Sequence, residues 1–217
     1  MINYLSDFIE KNLSKGDDEP RAYIGASSIG NPCERAIWYG LNKPEDKVIT
    51  TRQLITFEIG KCLEEMTIHF LLEQLALISP WALECNEYPL FKGNADAIIV
   101  NTEREPIAIL EIKTAKDSSF NIFKKKGLRL WYPEYYDQIQ SYMGMSGINT
   151  GYLLALNKDT SELHDEKVDF DAERYKKLVE KAKRIGDARI MPPKINGSPS
   201  FFRCKFCFYR NACHEVK

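Results

Sequence analysis

An α/β sandwich around a mixed sheet is the architecture this chain predicts, and three observations predict it. Two β-rich apolar runs, residues 93–100 and 107–113, flank the turn-forming segment 101–106, the pattern of an antiparallel hairpin with a longer loop. A long helical pattern precedes them and further helical patterns alternate with strands after them. Helices on both sides of a strand block cover both faces of a sheet. The 217 residues, 44% hydrophobic and 28% charged, are enough for one core with at most a small appendage.

The elements follow in chain order from their punctuation. A helix is expected over residues 4–13, then a turn through Gly16 and Pro20 and a loop, 26–32, that ends with Asn31 as a cap and Pro32 at a first helical position. A short helix, 33–41, follows. After the loop at Pro44, a helix over 51–77 carries Ile59, Leu63, Met66 and Phe70 at helical spacing, a stripe expected to face the core. Glu64 lies on its flank, whereas Glu65 points to solvent. Gly60, one turn earlier, is worse than Ala by about 1 kcal/mol in a helix interior, which hints at a close approach. Strands are expected near 84–91, 95–100 and 107–113, a helix over 134–145, strands over 151–157 and 166–170, and a basic helix over 174–189 with a solvated face. The chain reads as one domain, 1–217, with its core at 51–190 and a cysteine-bearing region formed by 20–42 and 192–217.

A net charge of −1 excludes a uniformly basic protein, so any polyanion surface must be local. The amino terminus lacks a basic start followed by a long apolar stretch, and the apolar run 69–78 is broken by Glu73 and Gln74. Neither secretion nor a membrane span is expected. Six cysteines in such a chain favour metal ligation or free thiols over disulfides, and the expected location is the cytoplasm. Lys124, Lys125, Lys126 and Arg129 beside Trp131 and Tyr132 combine phosphate-pairing cations with stacking rings. The plainer reading of that run is a solvated basic loop leading into a helix.

The hairpin carries the chemistry. With its turn centred near Glu103 and Arg104, Asp96 lies across the ladder from Glu111 on one face, and Lys113 shares that face. Like charges directly opposite each other destabilise a sheet; a divalent cation would relieve them. Singly, each residue has an ordinary explanation: a surface charge pair for Glu111-x-Lys113, a turn residue for Asp96, an amphipathic helix face for Gln138 and Tyr142. Their conjunction, in order and on compatible elements, points to a site.

Glu64 on a helix, Asp96 ahead of a strand, Glu111-x-Lys113 on the next strand and Gln138-x-x-x-Tyr142 on a following helix resemble the PD-(D/E)XK nuclease superfamily in its RecB-like exonuclease branch. The resemblance runs from Cys33 to Cys213. Many RecB-like members carry His at the first motif, where this chain has Glu64 and so resembles phage-type exonucleases; Ala95 stands where the naming Pro would be. The resemblance implies a restriction-endonuclease-like core, a central mixed sheet flanked by helices. It implies Mg²⁺ or Mn²⁺ held by Asp96, Glu111 and the Ile112 carbonyl with support from Glu64, a nucleophilic water oriented or deprotonated by Lys113, and phosphate or water positioned by Gln138 and Tyr142.

Cys204-x2-Cys207-x5-Cys213 supplies three thiols and Cys33 a distant fourth. Four thiolates suit a [4Fe–4S] cluster or tetrahedral zinc, and His214 leaves a mixed Cys/His zinc site open. The one-plus-three spread is similar to the iron–sulfur variant of these nucleases, in AddB-type and CRISPR-associated exonucleases, which implies a cluster joining the two ends of the chain. A cross-link of that span corresponds to roughly 5 kcal/mol of loop entropy. Arg35, beside Cys33, is a candidate DNA contact; Cys62 and Cys85 read as buried small hydrophobes.

The expectation is a metal-dependent DNA exonuclease acting at single-stranded ends in recombination, repair, phage DNA metabolism or CRISPR adaptation, with helicase, recombination or adaptation proteins as partners. Gly60-Lys61 lacks the surrounding residues of a phosphate-binding loop, so no built-in motor is expected. The alternative is a non-catalytic DNA-binding or scaffold module on the same fold, with a structural zinc or iron–sulfur site.

Overall fold

The computed structural model describes residues 8–9 and 21–215. The helix expected over 4–13 therefore lies, apart from Phe8 and Ile9, outside the described residues.

Two sheets share one corner. Strands β2 (Leu77–Ile78), β5 (Ala97–Val100), β6 (Pro106–Ala115), β7 (Thr150–Asn157) and β8 (Leu163–Asp169) form a five-stranded sheet in the order β2-β5-β6-β7-β8. Strands β1 (Ile24–Gly25), β4 (Phe91–Ala95) and β3 (Trp81–Glu84) form a three-stranded sheet in the order β1-β4-β3. β6 pairs antiparallel with β5 and parallel with β7, so the larger sheet is mixed. The chain passes from one sheet to the other at Asp96, the single residue between β4 and β5.

β6 is buried on both faces, which its near-continuous apolar sequence dictates. Leu110 and Ile112 on one face pack with Ala97 beneath Ile68 and Leu71 of helix α3 (Thr51–Leu72). Ile109 on the other face joins the main core with Ile139, Tyr142 and Met143 of helix α6 (Pro133–Ser146). Ahead of α3 lie helix α1 (Ala26–Ile29) and helix α2 (Glu34–Asn42). The connection from β6 to the parallel β7 holds three helices, α4 (Asp117–Lys126), α5 (Leu128–Trp131) and α6, as a crossover between parallel strands needs. Helix α7 (Ala172–Gly186) buries Tyr175, Leu178, Val179, Ala182 and Ile185, and the tail carries two short helices, α8 (Phe202–Lys205) and α9 (Arg210–His214). Among the described residues no helix is long and apolar enough to cross a membrane.

Several expectations are corrected here. α3 ends at Leu72, and Leu77–Ile78 is an edge strand. Three members of its expected core stripe are turned outward: Ile59, Met66 and Phe70 are exposed, Leu63 is half-buried, and the sheet is met by Ile68 and Leu71. The apolar residues of this helix are spread over all its faces, so periodicity alone does not select its buried face. The Gly60 approach is loose: a methyl group placed there would have Thr114 Oγ1, at 3.9 Å, as its nearest neighbour. The single strand expected over 84–91 is a hairpin: Cys85 and Tyr88 close a turn between β3 and β4, with Phe91 N–H bonded to Tyr88 O at 2.8 Å. Cys85 is buried as expected, but Cys62 is exposed. Helix α4 occupies a stretch with no helical expectation; Phe120 and Phe123, three apart, are its buried contacts, and Lys124, Lys125 and Lys126 fill its last turn, where cations offset the helix dipole.

Candidate active site

The hairpin register places the site. Ala97 pairs with Leu110 and Ile98 with Ile109, so Asp96 stands at the level of Glu111, as the turn centred on Glu103 and Arg104 demands. Asp96 Oδ2 accepts the Ile112 N–H at 2.7 Å, and its own carbonyl accepts from Ser79 Oγ at 2.6 Å. These bonds fix the corner residue from β6 and from the link between β2 and β3.

Glu111 is fully buried beneath α6. Its Oε1 accepts from Gln138 Nε2 at 2.6 Å and forms an ion pair with Lys113 Nζ. Gln138 Nε2 also donates to Tyr142 Oη at 2.9 Å, so residues one helical turn apart act together. Lys113 Nζ lies 4.0 Å from Asp96 Oδ2 and 3.2 Å from the Ile112 carbonyl. Glu64, half-buried on α3, completes the group: its carboxyl is pushed up to about 7 by burial, then by the Asp96 charge, against the pull of Lys113. The six expected catalytic residues are thus brought to one place.

The electrostatics are those of an acid cluster with one cation. Burial pushes the Glu111 carboxyl up to about 8, opposed by Lys113 and reinforced by Asp96 and Glu64; burial likewise raises Asp96. Lys113 is subject to a downward pull from burial, but Glu111 and Asp96 outweigh it and hold it above the ordinary lysine range. The ammonium also sits 5.3 Å from the centre of the Tyr135 ring.

One atom is left over. Glu111 Oε2 is buried and has no hydrogen-bond partner, an arrangement that costs roughly 1–3 kcal/mol or more for a charged group. Oxygen donors from Asp96, Glu111, the Ile112 carbonyl and Glu64 suit a hard divalent cation, and the orphaned oxygen is the place such an ion fits. Among the described residues no three His, Cys, Asp or Glu side chains close into a ready coordination shell; at the carboxylates, Lys113 is the group bridging Asp96 and Glu111.

The other candidates are distributed differently. Cys33, Cys204, Cys207 and Cys213 line one wall of a cleft of about 1270 Å³, all as free thiols. Burial raises the Cys204 and Cys207 thiols, with smaller upward contributions from Cys33 and Cys213, but among the described residues no three of these thiols close into a group that could hold a metal. Cys33 caps α2, which Lys181 anchors through the Ile29 and Asn31 carbonyls (2.6 and 2.7 Å) and Arg35 through the Pro192 carbonyl (2.6 Å). The four thiols match the donor chemistry of a cluster or of zinc. Of the candidate DNA contacts, Arg35 and Tyr132 line the cleft, whereas Lys124, Lys125, Lys126, Arg129 and Trp131 do not. Lys124 is ion-paired with Glu162, the Arg129 guanidinium lies 4.7 Å from the Tyr136 ring centre, and Trp131 stacks on Phe123 at 4.7 Å and donates to Ser119 Oγ at 2.8 Å.

Two side chains escape a reading of the sequence. Tyr135 shares the inner face of α6 with Gln138 and Tyr142, at intervals of three and seven, and that spacing is a usable signal. Asp137, almost fully buried, is held by Arg174 through two bonds of 2.6 Å (Nε to Oδ1, Nη2 to Oδ2), which braces α6 on α7; nothing local in the sequence marks that partner.

No family model matches the chain, and no curated protein matches it in sequence. Solved structures do match it. A protein designated SSO0001 superposes with a TM-score of 0.59 at 20% identity, covering 94% of this chain and 91% of that one. LHK-Exo in complex with dAMP gives 0.59 at 12% identity, covering 76% and 87%, and the alkaline exonuclease LHK-Exo from Laribacter hongkongensis gives 0.56 at 13% identity over the same shares. A central mixed sheet flanked by helices, in the restriction-endonuclease-like arrangement of these exonuclease structures, is the fold of this chain.

Proposed function

We propose that this protein is a divalent-metal-dependent deoxyribonuclease that hydrolyses phosphodiester bonds at DNA ends, single-stranded ends above all. The observation that carries the reading is the convergence of Glu64, Asp96, Lys113, Gln138 and Tyr142 on the buried Glu111, whose second oxygen is unpartnered. The likeness of fold adds support, since one such structure is an alkaline exonuclease and was obtained with dAMP.

Phosphodiester hydrolysis asks an enzyme to lower the barrier by roughly 8–23 kcal/mol. Asp96, Glu111, the Ile112 carbonyl and Glu64 are the groups that would hold Mg²⁺ or Mn²⁺, which when bound supplies charge neutralisation at the phosphate and a more acidic water. Lys113 stays protonated at neutral pH, so it orients the attacking water and offsets charge on the phosphate; it does not remove the proton. Glu64, half-buried beside Asp96 and Lys113, would support the ion directly or through a water. Gln138 holds Glu111 in its rotamer, and Tyr142 fixes Gln138 in turn. The phenol of Tyr142 is kept neutral, raised by burial and then by Glu111.

At the cleft wall, Cys33, Cys204, Cys207 and Cys213 are assigned to a structural [4Fe–4S] cluster, with zinc as the alternative occupant. The pathway in view is recombination, repair, phage DNA metabolism or CRISPR adaptation.

Digestion of 5′- and 3′-labelled single- and double-stranded DNA with Mg²⁺ or Mn²⁺ tests the reading and gives polarity at once. Stepwise loss of label is expected. No cleavage by the wild type, or undiminished cleavage by Asp96→Ala and Lys113→Ala, sinks it in favour of a non-catalytic DNA-binding module. For the cysteines, an anaerobically prepared brown protein with iron and sulfide is expected; a colourless zinc protein overturns the iron–sulfur assignment.

A further inference from the structure

The cleft next to the carboxylates has a composition unlike the rest of the chain. Seven lysines and arginines face it against three glutamates, although the whole protein carries a net charge of −1. A polyanion supplies acceptors for such a wall. Asp96, Glu111 and Lys113 do not line the cleft; Tyr135 joins the two, because it borders the cleft and its ring lies against the Lys113 ammonium.

Tyr135 carries a second ring. Tyr132 stacks on it with centroids 4.2 Å apart and planes 20° apart, and Tyr132 is 43% exposed. No hydrogen bond or ion pair from the Tyr132 side chain is needed to hold this arrangement. It sits at the amino end of α6, where Pro133 starts the helix, so its position is set by the element that carries Gln138 and Tyr142. Arg203, also lining the cleft, pairs with Glu134 at 2.7 Å and lies over the Phe202 ring at 5.4 Å. An exposed aromatic surface flanked by cations is the chemistry that holds an unpaired base by stacking and its backbone by charge. A duplex presents no free base face to it.

We infer that the Tyr132–Tyr135 stack is a base-binding platform for single-stranded DNA, which seats one unpaired base while the strand's phosphates run along the basic cleft toward the carboxylates. This rests on the nuclease reading for its direction of travel, but the binding itself does not require cleavage. The platform also shifts the DNA contacts away from Lys124, Lys125 and Lys126, which lie outside the cleft.

The test is fluorescence anisotropy of a labelled oligothymidylate and of a blunt hairpin duplex with the full chain in EDTA. Wild type is expected to prefer the single strand, and Tyr132→Ala to lose about tenfold in its affinity, with the salt dependence of binding unchanged because no phosphate contact is removed. Tyr132→Phe should bind like wild type. A single abasic position moved along the oligonucleotide should weaken wild-type binding most at one place, and Tyr132→Ala should be indifferent to it there. Equal affinity of wild type and Tyr132→Ala, failure of Tyr132→Phe, no preference for the single strand, or a uniform abasic penalty in the wild type alone overturns the platform; the last two remain decisive even if Tyr132→Ala does not fold. A protein that binds as expected but cuts no labelled end keeps the platform and loses the nuclease reading. One that cuts without dependence on Tyr132 does the reverse.

Discussion

The carboxylate site and the cysteine wall are built in opposite ways. The carboxylates are placed by regular structure: a hairpin register sets Asp96 against Glu111, and one helix face supplies Tyr135, Gln138 and Tyr142. The cysteines come from the two ends of the described chain, on an N-cap, two short helices and the turn between them. Strand register and helical spacing hold a site together before anything binds. Short helices of four or five residues have little stability of their own, so the cysteine wall depends on the long-range anchors from Lys181, Arg35 and Arg203 and on whatever the thiols hold.

The largest effect should come from breaking the weaker construction. Cys204→Ala with Cys207→Ala would remove the proposed metal tie between the two segments, for which loop closure allows roughly 5 kcal/mol. Calorimetry should show a fall in Tm on the order of 10 °C, together with loss of bound metal; an unchanged Tm would mean that side-chain anchors alone hold the wall. Breaking the carboxylate site should leave the fold intact and remove the chemistry: Asp96→Ala is expected to lower the rate by about a thousandfold, the scale of removing one well-placed electrostatic group, with circular dichroism and any bound iron unchanged.

A pH titration sharpens the contrast further. In metal-free protein the folded-state carboxyls of Glu111 and Glu64 sit at about 8 and about 7, above the unfolded value of 4.5. Raised carboxyls keep their protons in the folded state while the unfolded chain has released them. Their contribution to stability is therefore full below pH 4.5 and is lost as pH rises through 8. Melting curves should show that decline, and Mn²⁺ should recover more at pH 8 than at pH 6; Glu111→Gln should flatten the slope. Gly93→Ala is a smaller probe. A methyl there would lie 2.6 Å from a Tyr142 ring carbon and 2.8 Å from Ala26 Cβ, so overpacking by roughly 1–3 kcal/mol should lower Tm and, through Tyr142 and Gln138, activity. Lys124→Ala, which removes an exposed ion pair with Glu162, should change Tm and single-strand affinity least, within about 0.5 kcal/mol.

The same contrast explains what the sequence disclosed. Asp96, Glu111 and Lys113 were legible because a two-residue period and a turn centre are local properties, and the x-x-x spacing of Gln138 and Tyr142 is one helical turn. The outward face of α3 was not legible: Ile59, Met66 and Phe70 obey the helical period as well as the residues that meet the sheet, and only the partner strand chooses between them. Nor was α4, where Ser118, Ser119 and Asn121 obscure a helix defined by Phe120 and Phe123. The turn at Cys85–Tyr88 was signalled by Asn86 and Pro89, between the short apolar runs at 81–83 and 90–91. Arg174 as the partner of Asp137 depends on tertiary contact alone.

Parallel pairing of β6 with β7 has a consequence in time. Residues 109–115 find their partners at 151–157, across three helices, so a ribosome that has released only the hairpin has made Asp96, Glu111 and Lys113 without the lid of α6 or the neighbouring strand. The charges are then in water, unassembled, at ordinary pKa values. The site comes into being as a unit once Asn157 has emerged, and the cysteine wall later still, when Cys213 follows; a half-made chain holds the right residues and no assembled site.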